Sequence, residues 1–249
     1  MSPIDAPARE PPAAPVVAGP GLLSRVAGIV VSPVDTFGHI SRDPRPVGML
    51  VLVSLVSAAV TTAFFATETG RLAWLDTTVA QQESFGRTIS DAQYAGMERL
   101  AGLLVYIVPA YTLVVSPLVS VVIAGLLKAG FAVIAGAEAT FKQVLGVVAA
   151  SGVILLLRAL FVLPINYAQE SMRGASNLAV LLPMLRPNGF AASFLGMIDL
   201  FAVWWVAVLA AGLGVLYGRS AWPVGVTFFS LYGAIAVAIA LVQIWAGGS

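Results

Sequence analysis

Two ionisable side chains, Arg158 and Asp199, stand alone inside long apolar runs of this 249-residue chain. A lone charge at the middle of a bilayer costs about 2.5 to 3.5 kcal/mol on insertion scales, so such residues face the interior of a bundle and seek partners. A guanidinium and a carboxylate can neutralise each other as a structural clasp, or hold a proton or a polar substrate. Little else in the sequence offers chemistry. With no cysteine there is no disulfide, thiolate zinc site or thiol nucleophile, and one histidine, His39, cannot build a His-rich metal centre or a Ser-His-Asp triad. His39 reads as a solvated or interfacial side chain. The glycines of GLGVLYG at 212–218 fall one residue out of step with a dinucleotide-binding turn and follow no strand. No catalytic residue, metal or cofactor is expected.

Hydrophobic residues make up 59% of the chain and charged ones 10%, against about 25% charged in a soluble domain. The net charge of +1 leaves no basic field for nucleic acid. A bilayer core takes about 20 apolar residues as a helix, because the backbone must satisfy its own hydrogen bonds there. Such runs predict an all-α, polytopic bundle of five transmembrane helices over 46–249, with spans near 47–66, 100–127, 143–165, 194–217 and 224–245.

The first 21 residues, rich in proline, predict a disordered tail. Residues 22–45 carry apolar side chains at helical spacing, with Val26, Ile29, Val30 and Phe37 marking a face that predicts two amphipathic helices in the membrane interface. An ordinary N-terminal helix packed on the bundle is the alternative. Ser32, Pro33 and Asp35 resemble a capping box, and Ser90 with Gln93 predicts a second box, with a helix starting near Asp91 outside the bilayer. The stretch from 67 to 99 reads as a long loop, functional or self-packed, and Pro183, Pro187 and Asn188-Gly189 mark turns. Pro109 and Pro117 predict kinks in the second span. Small residues four apart, Ala210, Gly214 and Gly218 in the fourth span and Ala234 and Ala238 in the fifth, predict close helix packing, within the bundle or between copies.

Lys and Arg number seven in the segments on the N-terminal side of the membrane and five on the other, which predicts an inside N-terminus and an outside C-terminus. Arg158 precedes the outer end of its span by seven residues and Asp199 follows the start of the next by six, at matching depths of about 10 and 9 Å. An ion pair between the third and fourth spans is therefore predicted, with snorkelling of Arg158 as the competing account.

SPVDTFGHISRDPRP at 32–46, GAEATFKQVLGVVAASG at 136–152 and FLGMIDLFAVWWVAVLAAGLGVLYG at 194–218, in this order around five spans, resemble the Yip1 domain family of membrane proteins. The resemblance covers nearly everything from Leu22 onward, and it implies a cytoplasmic N-terminus and an external or lumenal C-terminus. Eukaryotic members act in vesicle traffic and associate with small GTPases. Eleven arginines against two lysines look like a GC-rich bacterial genome, which places the chain in an inner (cytoplasmic) membrane where no such traffic runs. The functional expectation is a scaffold or accessory subunit of another membrane complex, such as an export machine, with membrane lipids and another membrane protein or a second copy as partners. A small transporter, channel or lipid-handling protein is the alternative.

Overall fold

The computed structural model describes residues 21–247 apart from 137, 173, 174, 183 and 185–188. The expected disordered tail and the turns at Pro183, Pro187 and Asn188 lie outside the described residues, except for Gly21 at the tail's end. The rest is helical: α1 (Leu22–Val31), α2 (Pro33–Arg42), α3 (Pro46–Phe65), α4 (Glu68–Ser84), α5 (Asp91–Ala135), α6 (Phe141–Ala168), α7 (Phe190–Met197), α8 (Leu200–Tyr217) and α9 (Ala221–Gly247). A 3-10 turn spans Leu178–Leu181. Five helices, α3, α5, α6, α8 and α9, are long and apolar enough to cross a membrane.

Helix α6 is the centre of the bundle. It packs against α3, α5 and α8, and 61% of its most apolar stretch is buried, against 6% for α5 and 11% for α9. Val144, Val147, Val153 and Ile154 are fully enclosed. Its start is fixed by a capping box: Thr140 accepts from Gln143 N, and the Gln143 side chain accepts from Thr140 N. The Gln143 amide also donates to the carbonyl of Ser41 at 2.8 Å, tying α6 to α2.

The box at Ser90 and Gln93 forms and starts α5 at Asp91. The helix then runs unbroken through Pro109 and Pro117 to Gly136, whose left-handed backbone ends it. The stretch after α3 is no loop: Thr67 caps α4, accepting from Gly70 N. Gly70 is required there, since a Cβ would stand 2.2 Å from the Phe64 carbonyl oxygen.

The N-terminal helices depart from the interfacial reading. Ile29 and Phe37 are fully buried in the main core rather than turned to lipid, Val26 is half-buried, and Val30 is exposed. Their apolar stripe meets α6 and α8 because those helices present an apolar recess. At α8 that recess exists because Gly212 has no side chain: a Cβ there would lie 2.7 Å from Val147 Cγ1 and 2.8 Å from the Phe37 ring. The box at Ser32 does not form either. Its side chain makes no capping bond, and its carbonyl instead accepts from Thr36 Oγ1.

A charged knot fastens α1 to the start of α3. Arg25, 4% exposed, donates to the carbonyl and to Oδ2 of Asp43 at 3.0 and 3.1 Å, and Arg45 Nε donates to the same Oδ2 at 2.8 Å. The hydrogen bond from Arg45 leads in holding the Asp43 carboxyl below its ordinary value, with both guanidinium charges adding to it. A lowered folded-state value means the stabilisation is present above the unfolded carboxyl's range and is lost as pH falls through the folded value. Protease protection of the N-terminal helices is therefore expected to be level from neutral down to ordinary carboxylate titration and to fall only at more acid pH. Asp43→Asn removes that acid-dependent step, and an unchanged acid profile in this variant overturns the assignment.

Candidate functional site

The fourth apolar run is two helices, not one. The chain leaves α7 at Met197, runs extended through Ile198 and Asp199, and enters α8 at Leu200. Asp199 is thus no mid-helix charge but an N-cap: its Oδ1 accepts from Phe201 N at 2.9 Å and Ala202 N at 3.0 Å. Aspartate is among the strongest N-caps, because its carboxylate satisfies amide donors that a helix start leaves unpaired. A hydropathy sum cannot register that effect.

The extended pair is held from both sides. Leu178 N donates to the Ile198 carbonyl and Leu200 N to the Ser176 carbonyl, an antiparallel bridge centred on Asn177 and Asp199. Tyr232 of α9 accepts from Asp199 N and donates to the Met197 carbonyl at 2.7 Å. Sequence reasoning missed Ser176, Asn177 and Tyr232, and no spacing signal connects them to Asp199.

Arg158 of α6 meets this break. Its Nε donates to Asp199 Oδ2 at 2.8 Å, and Ser176 Oγ donates to the same oxygen at 2.5 Å. The four acceptor directions of the carboxylate are then filled. The Arg158 side chain is 45% exposed and Asp199 18%, so the pair sits at the rim of a cavity. This cavity, of about 470 Å³, extends between α3, α6, Met172 and residues 175–177. Its walls are mostly apolar, with Phe65, Val162, Leu163 and Met172, and Asn166 lines its far end.

The predicted packing positions divide. Ala210 and Gly214 are buried, Ala210 facing Gly225 of α9 and Gly214 facing the α8–α9 turn at Arg219 and Ala221. Gly218 is exposed and serves as the left-handed C-cap of α8. Ala234 and Ala238 are exposed, while Ala236 and Ala240, two residues on, are buried. Because α9 is apolar on every side, the small-residue pattern alone does not select the packed face. His39 is exposed. Among the described residues no group of three or more His, Asp or Glu side chains stands together for a metal ion.

Five apolar helices, one of them buried at the centre of the bundle, with a charge pair closing a helix break, define a polytopic integral membrane protein of the all-α class. The family model of the Yip1 domain matches residues 27–244, nearly the whole chain. The protein belongs to the Yip1 domain family. Comparison with curated proteins and with solved structures gave no match.

Proposed function

We propose that the protein is a non-enzymatic scaffold or accessory subunit of another membrane complex, seated in a bacterial inner membrane with its N-terminus inside and its C-terminus outside. The observation that supports this is α5. Its 45 residues span about 68 Å at 1.5 Å per residue, well over a bilayer core, yet little of its apolar surface meets the rest of the chain. Tyr106 and Tyr111, 72% and 60% exposed, carry hydroxyls with no hydrogen-bond partner among the described residues. Lipid tails offer such hydroxyls nothing, whereas a neighbouring helix does.

A photo-crosslinking residue at position 106 or 111 in native membranes is expected to give a discrete protein adduct, and at Leu104, which is buried, none. An adduct of twice the chain's mass assigns the surface to a second copy. Lipid adducts alone at both exposed positions overturn the reading. For the orientation, a reporter active only outside is expected to work after residue 249 and fail before residue 1; the reverse pattern inverts it.

A further inference from the structure

We infer that the cavity beside the Arg158–Asp199 pair is a binding site for a phospholipid headgroup of the phosphoethanolamine type. Three features carry this. The first is spare donor capacity: Arg158 uses only Nε on Asp199, and its two terminal nitrogens bond no protein atom among the described residues. A guanidinium fork of this kind fits the oxygens of a phosphodiester. The second is spare acceptor capacity. Asn166 is 3% exposed, lines the same cavity, and its Oδ1 has no hydrogen-bond partner among the described residues. A buried acceptor left unmade is costly, and a ligand N–H or O–H removes that cost.

The third feature is shape and charge. Arg158, Val162 and Asn166 stand four residues apart along one stripe of α6, about 12 Å from end to end. Arg158 marks the phosphate end and Asn166 the donor end. Because Asp199 already neutralises Arg158, an anion would add an unbalanced charge, whereas a zwitterion adds none. Asp199 has no acceptor direction left for an ammonium, which leaves Asn166 Oδ1 to take it. A volume of about 470 Å³ lies within the range of small-ligand sites. Its walls of Phe65, Val162, Leu163 and Met172 suit the glycerol and upper acyl carbons of a lipid rather than free phosphate.

The test is native mass spectrometry of the full chain, purified in mild detergent, with phosphatidylethanolamine, phosphatidylcholine or phosphatidylglycerol of identical acyl chains. Phosphatidylethanolamine is expected to be retained about tenfold over phosphatidylcholine, which lacks the N–H donors, the effect of one hydrogen bond to a charged group. Asn166→Leu, which leaves the ion pair intact, is expected to abolish that preference. Ala159→Phe, which fills the cavity from the same helix, is expected to lower retention of every headgroup at the site. Equal retention of the two zwitterionic lipids by the native protein, or an undiminished preference in Asn166→Leu, overturns the proposal. Tighter retention of phosphatidylglycerol overturns the zwitterion assignment, and displacement of the lipid by millimolar inorganic phosphate shows a phosphate site instead.

Discussion

Phe37→Ala is expected to lower stability by about 3 to 5 kcal/mol, the range for deleting a buried aromatic side chain, although the residue lies outside every membrane span. Phe37 is fully enclosed between α2, α6 and α8, and its ring tip lies over Gly212. The same contact predicts the reciprocal effect. Gly212→Val places new atoms where Val147 and the Phe37 ring already stand, and overpacking of this kind costs about 1 to 3 kcal/mol. Since both changes act on one contact, they are not additive. Gly212→Ala combined with Phe37→Leu is expected to be more stable than the sum of the two single losses allows. Thermal unfolding in detergent, with proteolysis of the N-terminal helices as a second readout, checks this; strict additivity would show that Phe37 does not pack on Gly212.

This contact also shows what was legible in the sequence. Five spans follow from apolar length alone, because a bilayer demands about 20 apolar residues whatever the packing. The α5 start at Asp91 was legible because a capping box is a local device, whereas the box of Thr140 and Gln143, equally local, was not read from the sequence. The pairing of Arg158 with Asp199 was expected from a residue count along two continuous helices; the two do meet, although the chain breaks at Asp199, so that count does not describe the fourth run. What hydropathy could not supply was the inward direction of Phe37 and Ile29. A stripe that suits the membrane interface suits an apolar recess equally, and the recess depends on one glycine 175 positions beyond Phe37. The break before α8 was hidden for a related reason: one aspartate barely changes a mean over the run, yet it captures two amide donors, a serine and an arginine.

That double engagement sets the outcome expected from a mutant cycle on the pair. If Asp199 served only Arg158, replacing both by leucine would restore most of the stability lost in either single variant. Asp199 also caps α8 and accepts from Ser176, and neither bond involves Arg158. Asp199→Leu is therefore expected to cost about 3 kcal/mol, of which the cap accounts for about 1. Arg158→Leu leaves the cap and the Ser176 bond in place, and its half-exposed guanidinium is screened by solvent, so about 1 kcal/mol is expected. The double variant is expected to fall near Asp199→Leu, with a coupling of about 0.5 to 1.5 kcal/mol that isolates the ion pair. Asp199→Asn keeps an oxygen for the two amide donors and is expected to recover the cap's share alone. Thermal unfolding of the four variants measures each quantity. Two results would refute this division of roles: single losses that add without coupling, or an Asp199→Leu variant no less stable than Arg158→Leu. The first would separate the two charges, and the second would remove Asp199 from the start of α8.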